Sequence, residues 1–216
     1  MKESFKLEKE NLKKRKTKVK IPELDVKKRA NKFDEVALGY TEEDALEESL
    51  RCIQCKKPKC IEGCPVEIDI KSFINLVSKK DYRGALEKIR EKNALPGICG
   101  RVCPQEEQCE AKCIVGLKNE PVAIGRLERF VADRAILDEN KNIEDWAKNN
   151  DDGNKDIDIE NKDLKTINKV TSRSCGIKCK MSVVGSGPAG LTCAGELAKM
   201  GYDVTIYEAL HEAGGV

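Results

Sequence analysis

Apolar residues recur at helical spacing through the first two thirds of the chain. Thr41 precedes three acidic residues, which is typical of a helix N-terminus, and this helix should run towards Arg51. Asp69 is a second N-cap, and the residues after it place apolar side chains on one face. Residues 82–89 form a third, short helical pattern. This part of the chain is therefore predicted to be helical.

A further helix is predicted to begin at Pro121, because proline is favoured in the first helical turn. Its apolar face is formed by Ile124, Leu127, Val131 and Ile136. Two stretches between the helices, residues 52–65 and 95–116, are too rich in cysteine, glycine and proline for regular structure. We expect both to be loops.

The pattern changes after this last helix. Residues 138–172 are dominated by Asn, Asp, Lys and Glu, which indicates a linker or flexible insertion. Residues 181–184 and 204–207 have the pattern of short strands, and a glycine turn at 185–190 and a helix at 191–200 connect them. This strand–helix–strand order predicts the opening unit of a parallel α/β sheet.

Composition narrows the range of functions. The 40 basic and 38 acidic residues leave a net charge of +2, so no overall field favours binding to nucleic acid or to an anionic membrane. No apolar stretch approaches the roughly 20 residues of a membrane span, and no apolar segment follows the charged N-terminus as in a signal peptide. We therefore expect a cytoplasmic protein. Eleven cysteines in such a chain point to metal, cluster or redox chemistry.

The cysteines form two groups along the sequence. The first is Cys52-x2-Cys55-x4-Cys60-x3-Cys64 with Pro65 next, and the second is Cys99-x3-Cys103 with Pro104 next, followed by Cys109 and Cys113. Bacterial ferredoxins use C-x2-C-x2-C-x3-C-P, whose last cysteine ligates the other of two iron–sulfur clusters. The middle spacing is longer here, but the terminal Cys-Pro is kept. Two such loops predict two 4Fe–4S clusters that exchange ligands across the loops.

Zinc is the main alternative to iron–sulfur clusters. Zinc ribbons use paired C-x2-C units, and only Cys52 and Cys55 have that spacing. Disulfides or buried cysteines without a ligand are a further alternative. Cys175 and Cys179 form a C-x3-C pair near the polar stretch, and we expect them to be incidental.

A glycine-rich turn follows the first predicted strand. Gly185 permits a tight turn, Gly187 lets the backbone approach a pyrophosphate, and Gly190 allows the helix to pack closely on the strand. Glu208 ends the second strand, where an acidic residue can bond a ribose hydroxyl. The pattern predicts a dinucleotide-binding turn, and the alternative is a tight turn without a ligand.

Several short motifs together resemble one superfamily of oxidoreductases. They are Leu38-Gly39-Tyr40, Arg51-Cys52, Gly63-Cys64-Pro65-Val66, Cys99-Gly100-Arg101-Val102-Cys103-Pro104 and Ile124-Gly125-Arg126-Leu127-Glu128-Arg129-Phe130. They resemble the small (beta) subunit of NADPH-dependent glutamate synthase and the large subunit of NADH-dependent ferredoxin:NADP oxidoreductase. The N-terminal region of dihydropyrimidine dehydrogenase is similar at greater distance. The resemblance covers about residues 33–137 and 181–216.

The resemblance implies a helical domain with two 4Fe–4S clusters, followed by FAD and NADPH domains. One cluster would be held by Cys52, Cys55, Cys60 and Cys113, and the other by Cys64, Cys103, Cys109 and Glu128. Cys99 matches a family cysteine that is not a ligand. By its residue type alone, Glu128 would be an ordinary exposed helix residue.

The FAD site implied by the resemblance is incomplete in this sequence. Its expected residues are Gly185, Ser186, Gly187, Pro188, Ala189, Gly190, Glu208, Gly214 and Gly215. Only two strands precede Val216, whereas a dinucleotide fold needs several, so we expect a fragment. The expected organisation is a polar arm at 1–40, an α-helical domain with two clusters at 41–137, a polar linker at 138–180, and the first βαβ unit of a Rossmann-like α/β FAD-binding fold at 181–216.

The resemblance implies that the intact protein is an oxidoreductase. NADPH would reduce FAD, and the clusters would pass electrons to a partner, as in glutamate biosynthesis. That partner would be the glutamate synthase large subunit or an equivalent acceptor subunit, with ferredoxin as another candidate. Two alternatives stay open: a non-catalytic electron-relay or docking fragment without the NADPH domain, and a zinc-stabilised interaction module.

Overall fold

The computed structural model describes residues 15–149 and 179–215 of the chain. The beginning of the predicted arm, most of the predicted linker and Cys175 lie outside the described residues. The chain divides into two compact units, Met1–Asp145 and Trp146–Val216. No helix in the described ranges is both long enough and apolar enough to cross a membrane.

The described helices of the first unit follow one another with short connections. They are α1 (Val26–Arg29), α2 (Glu42–Ser49), α3 (Lys59–Glu62), α4 (Ile70–Val77), α5 (Tyr82–Arg90), α6 (Pro96–Val102), a 3-10 helix (Ile114–Leu117) and α7 (Ile124–Asn149). Before α2, the backbone of Leu24 and Leu38 bonds to Val36 and Pro22, so residues 22–24 and 36–38 pair as short antiparallel segments.

Side-chain caps fix the starts of the predicted helices. Thr41 and Asp44 form a reciprocal capping box at the N-terminus of α2. Asp69 accepts the N–H of Ser72 at the start of α4, and Asp81 accepts that of Gly84 at the start of α5. The three predicted helices are confirmed. They could be predicted because each has a local start signal in the sequence.

The last helix of this unit differs from its prediction at both ends. It begins at Ile124 rather than at Pro121, because Ala123 donates its N–H to Glu48 Oε1 (2.8 Å) instead of entering the helix. It continues to Asn149, into the stretch predicted to be a linker. Ile136 is 52% exposed, so the predicted apolar face is buried only in the first turns.

The two predicted cysteine loops also contain regular structure. The first includes α3, and the second includes α6 and the 3-10 helix, which the prediction of loops missed. Pro96 occupies the first turn of α6. A Cβ atom on Gly100 would lie 2.6 Å from the backbone nitrogen of Arg129, so glycine permits close contact between α6 and α7.

The core of the helical unit lies between α4, α5 and α7. Its fully or nearly fully buried side chains include Ile70, Phe73, Ile74, Val77, Ala85, Leu86, Ile89, Leu127, Phe130 and Val131. The rings of Tyr82 and Phe130 meet edge to face at 5.3 Å. Burial of this apolar surface is the main stabilising contribution to the unit.

A buried ion pair joins α2 to two distant segments. Arg51 Nη1 donates to Glu48 Oε1 at 2.6 Å, and both side chains are 0% exposed. Arg51 also donates to the carbonyl oxygens of Glu120 and Pro121, at 2.5 and 3.1 Å. Glu48 Oε2 accepts the N–H of Val19 at 2.7 Å. The pair therefore fixes the chain near residues 19 and 120–123 against the helix that leads to Cys52.

The second unit consists of β1 (Lys180–Val184), α8 (Pro188–Lys199) and β2 (Asp203–Tyr207). The two strands are parallel, with Lys180 opposite Asp203 and Val184 opposite Tyr207. This confirms the predicted strand–helix–strand order, although α8 begins three residues before the predicted helix at 191. Gly187 is its N-cap and Pro188 its first residue.

Candidate functional site

Four cysteines from distant parts of the sequence surround one small cavity in the helical unit. They are Cys52, Cys55, Cys60 and Cys113. Cys52 follows α2, Cys60 lies in α3, and Cys113 immediately precedes the 3-10 helix. Apolar side chains of α4 complete part of the wall. The fold thus brings together the first predicted ligand set.

The surroundings of this first group disfavour free thiolates. Burial raises the pKa of Cys60 to about 12, and the neighbouring thiols of Cys113, Cys52 and Cys55 contribute further. Burial also raises the pKa of Cys52, with smaller contributions from Cys113 and Cys55. A cationic centre in this cavity would stabilise the thiolate forms of Cys52 and Cys60, which burial alone disfavours.

The second predicted set comes together around Glu128 of α7. Burial raises the pKa of Cys103 to about 11, and charges on Glu128 and Cys64 act in the same direction. Burial raises the pKa of Cys109 to about 12, again with contributions from Cys64 and Glu128. Cys64 and Glu128 therefore both lie near Cys103 and Cys109, which brings the three cysteines and the carboxylate into one neighbourhood.

Glu128 is a buried carboxylate, only 7% exposed, rather than the exposed helix residue that its type alone suggests. Burial raises its pKa to about 7, and a hydrogen bond from Asn93 opposes that increase. Asn93 Nδ2 donates to Glu128 Oε1 at 2.8 Å, and Asn93 Oδ1 accepts the N–H of Leu95 at 2.9 Å.

Sequence reasoning did not identify Asn93, and it placed Cys99 outside the ligand sets. Asn93 is itself only 7% exposed. Asparagine ahead of a proline is typical of a turn, and the Asn93 side chain does accept the N–H of Leu95, but neither feature indicates a contact with Glu128. Cys99 neighbours Cys103, whose pKa it raises. The second group therefore contains a fourth thiol.

The two groups fit a sulfur-ligated inorganic centre that contains several metal atoms. Within the described ranges, no three Cys, His, Asp or Glu side chains lie close enough together to hold a single metal ion. Each group nevertheless gathers four candidate ligand side chains, and two thiols in each group have a raised pKa. Iron–sulfur clusters bind through thiolates on separate iron atoms, so their ligands surround a core instead of converging on one ion.

The glycine turn in the second unit has the geometry of a close backbone approach. Gly185 has φ of +92°, and its N–H bonds to the carbonyl of Tyr207 at 2.8 Å. A Cβ atom on Gly190 would lie 2.0 Å from the carbonyl oxygen of Gly185, so only glycine fits there. No side chain of the described residues caps the first turn of α8, where Pro188, Ala189 and Gly190 lie. Such an N-terminus favours anionic ligands.

Glu208 and the residues after it close around the same turn. The Glu208 carboxylate accepts the hydroxyl and the N–H of Ser186, and also the N–H of Leu210. These hydrogen bonds, led by that of the Ser186 hydroxyl, lower its pKa to about 2. Gly214 donates its N–H to Ser186 Oγ at 3.1 Å, and a Cβ on Gly215 would lie 2.9 Å from the Gly187 Cα. All the predicted turn residues therefore lie together.

Comparison with known families matches both units. A family model described as dihydropyrimidine dehydrogenase domain II, 4Fe-4S cluster, matches residues 29–140, which is more than half of the 216-residue chain. A second model, described as an NAD(P)-binding Rossmann-like domain, matches residues 183–216.

Individual proteins are similar over most of the chain. The NAD-dependent dihydropyrimidine dehydrogenase subunit PreT of Escherichia coli (strain K12) is 35% identical over 185 residues, which is 86% of this chain and 38% of that protein. The putative oxidoreductase AegA of the same strain is 31% identical over 89% of this chain and 25% of its own length. Glutamate synthase [NADH] of Saccharomyces cerevisiae is 32% identical over 89% of this chain and 8% of its own. The chain thus spans about two fifths or less of each of these relatives.

Proposed function

We propose that this chain carries electrons between a dinucleotide and a partner protein through two clusters. The chain belongs to the 4Fe–4S family described as dihydropyrimidine dehydrogenase domain II, and this membership is the basis of the proposal. Its relatives include oxidoreductases, and its second unit matches an NAD(P)-binding Rossmann-like domain. The observation that carries the proposal is that seven cysteines and Glu128 separate into two sets of four candidate ligands, with Cys99 beside the second set.

In this proposal, the first cluster is held by Cys52, Cys55, Cys60 and Cys113. Most of the other side chains that line their cavity are apolar, with Lys59 and Lys71 as the exceptions, and this lining would limit access of water and leave electron transfer as the chemistry of the site. When bound, a 4Fe–4S cluster accepts and donates single electrons at a potential set by ligands, charge and solvent exposure. The family match also favours iron–sulfur over the zinc-stabilised alternative.

The second cluster is held by Cys64, Cys103, Cys109 and Glu128. Cys64 is two residues beyond α3, so it shares a short loop with a ligand of the first group while it faces the second. This agrees with the exchange of ligands that the Cys-Pro spacing indicates. A carboxylate ligand would make the two sites chemically unequal, and unequal sites favour different potentials.

We further propose that the glycine turn binds the pyrophosphate and ribose of FAD, which an NADPH-binding region of the whole protein would reduce. The uncapped first turn of α8 and the positive φ of Gly185 suit a pyrophosphate. The Glu208 carboxylate is held at the end of β2, where it suits a ribose hydroxyl. FAD and a directly bound nicotinamide dinucleotide share these two groups, so binding must be tested with each.

The acceptor is proposed to be a partner subunit of the glutamate synthase type. The similarity to glutamate synthase supports this partner, and the similarity to a dihydropyrimidine dehydrogenase subunit supports a partner subunit of a dihydropyrimidine dehydrogenase instead. Ferredoxin is a third candidate.

Free thiols in both groups suit a reducing compartment, which supports a cytoplasmic location.

The test is anaerobic reconstitution of the chain with iron and sulfide. Two clusters require about eight iron atoms per chain, four for each core. Cys60→Ser should leave about four iron atoms and one set of electron paramagnetic resonance signals, and Cys109→Ser should leave the complementary set. Cys193→Ser is the matched control, because this exposed cysteine lies on α8.

Two outcomes would contradict the proposal or limit it. A wild-type chain that takes up zinc but no iron would exclude the clusters. Clusters that dithionite reduces, but that NADPH and NADH with added FAD do not, would favour the electron-relay alternative for this chain.

A further inference from the structure

The hydrogen bonds of Asn93 fix one oxygen of the Glu128 carboxylate. Asn93 Nδ2 donates to Glu128 Oε1 at 2.8 Å, and both residues are only 7% exposed. The other end of the amide is occupied, because Asn93 Oδ1 accepts the N–H of Leu95. The amide therefore cannot exchange its oxygen and nitrogen without losing both bonds. Among the described residues, no hydrogen bond is made to Glu128 Oε2.

Asn93 also joins the two helices that contribute to the second group. Leu95 is the N-cap of α6, and Cys103 ends that helix as its C-cap. Glu128 lies in the second turn of α7. A single buried amide thus sets the carboxylate relative to the helix that leads to Cys103.

Cys99 is a rival for the place of Glu128. It lies one turn before Cys103 on α6 and is close enough to raise the pKa of that thiol. Its neighbour Gly100 brings α6 into close backbone contact with Arg129, the residue after Glu128. Iron in sulfur clusters prefers thiolate ligands to carboxylate. Chemical preference alone would therefore select Cys99.

We infer that Asn93 is a positioning residue whose amide holds Glu128 with its second oxygen free for iron, so that Glu128 rather than Cys99 completes the Cys64–Cys103–Cys109 set. This inference rests on the proposed two-cluster function. Without the Asn93 donor, the carboxylate can rotate away, and the Cys99 thiol takes its place. Asn93 would then decide which of two available ligands the second cluster has.

The experiment uses the full chain, reconstituted anaerobically, with Asn93→Ala, Asn93→Asp, Cys99→Ser and the double variant Asn93→Ala/Cys99→Ser. Iron content, the electron paramagnetic resonance spectrum and the midpoint potential of each cluster are measured. Asn93→Ala should shift the g values and the potential of one cluster, leave the other unchanged, and keep about eight iron atoms. The double variant should lose that cluster and retain about four iron atoms. Cys99→Ser alone should match the wild type.

Asn93→Asp separates the hydrogen bond from packing, since it keeps the side-chain shape but lacks the amide donor. It should reproduce the spectral shift, and it serves in place of Asn93→Ala if the alanine variant does not fold. Unchanged spectra and potentials in Asn93→Asp would overturn the inference. So would an altered cluster in Cys99→Ser alone, because Cys99 would then already be a ligand. A wild-type chain without clusters would instead refute the proposed function itself.

Discussion

The helical unit and the βαβ unit hold their candidate ligand residues in different environments. In the helical unit, the cysteine groups adjoin a core in which Phe73, Ile89 and Leu127 are 0% exposed. In the described part of the βαβ unit, only Ala194 and Ser186 are buried, and Val184 of β1 is 87% exposed. The positions of the cysteines therefore depend on side-chain packing, whereas the shape of the glycine turn depends on backbone conformation.

This difference predicts which substitutions each unit tolerates. A two-stranded sheet with one helix buries too little apolar surface for much stability of its own. Its turn should nonetheless be sensitive to any added atom, because its backbone segments are in direct contact. The helical unit should tolerate surface changes and respond strongly to changes in its buried polar groups.

The largest effect is expected from the buried ion pair. Arg51→Ala leaves the Glu48 carboxylate buried without its partner and removes the donors to Glu120 and Pro121. The free energy of unfolding of the helical unit should fall by about 3–5 kcal/mol. Urea unfolding followed by circular dichroism measures this loss, and hydrogen exchange should show unchanged protection in the βαβ unit.

Arg83→Ala is the matched control for this prediction. Arg83 pairs with Glu87 on the same helix, but its side chain is 91% exposed. The decrease in the free energy of unfolding should be below about 0.5 kcal/mol for Arg83→Ala. Similar losses for the two variants would show that the Glu48–Arg51 pair does not hold the unit together.

Smaller changes in stability are expected in the βαβ unit. Alanine substitutions at two glycines of α8 should have effects of opposite sign. In Gly190→Ala, the new Cβ would meet the Gly185 carbonyl oxygen at 2.0 Å, which should cost about 2–3 kcal/mol and distort the turn. Gly195 has no described atom within 4 Å of such a Cβ, so Gly195→Ala should stabilise α8 by up to about 1 kcal/mol. Amide hydrogen exchange of β1 and β2 measures both. Equal protection in the two variants would contradict the close contact at the turn.

The smallest effect concerns pH and the carboxylate of the helical unit. Burial raises the pKa of Glu128 from 4.5 to about 7 in the metal-free chain. Between these values the folded state holds this proton more tightly than the unfolded state, so the free energy of unfolding should fall as the pH rises. Between about pH 5 and pH 8 the decrease in the free energy of unfolding should be roughly 1–2 kcal/mol greater in the wild type than in Glu128→Gln.

Urea unfolding of the iron-free chain at both pH values provides this measurement. The raised pKa values of Cys60 and Cys109, about 12, keep those thiols neutral over this range and leave Glu128 as the distinguishing group. Identical pH dependence in wild type and Glu128→Gln would show that the carboxylate is not desolvated by the fold.

The features that the sequence could predict are those with local causes. Thr41, Asp69 and the Gly185–Gly190 turn each determine nearby backbone, and the corresponding helices and strands were predicted correctly. The two cysteine loops were predicted as irregular because Cys, Gly and Pro dominate them, although Pro96 begins a helix there. The start of α7 was missed because the distant Glu48 binds the Ala123 N–H.

The grouping of the ligands could not be obtained from spacing alone. Cys113 joins Cys52 because the fold returns the second loop to the first, and spacing indicated only that some ligand crosses between loops. The ligand sets came from the family resemblance, and their assignment as ligands stays a prediction. Asn93 has no sequence signal for its contact with Glu128, since the two residues are 35 positions apart.

The contacts of the Glu48–Arg51 pair also have a consequence for synthesis of the chain on the ribosome. Arg51 emerges 69 residues before its acceptor Glu120, and Cys52 and Cys60 emerge long before Cys113. At about 5–20 residues per second, the nascent chain spends roughly 3–14 seconds with these partners missing. During that interval Cys52, Cys55 and Cys60 lack Cys113, and the Arg51 guanidinium lacks its carbonyl acceptors at residues 120 and 121. The full ligand set of the proposed first cluster therefore exists only after Cys113 has been translated, and that of the proposed second cluster only after Glu128.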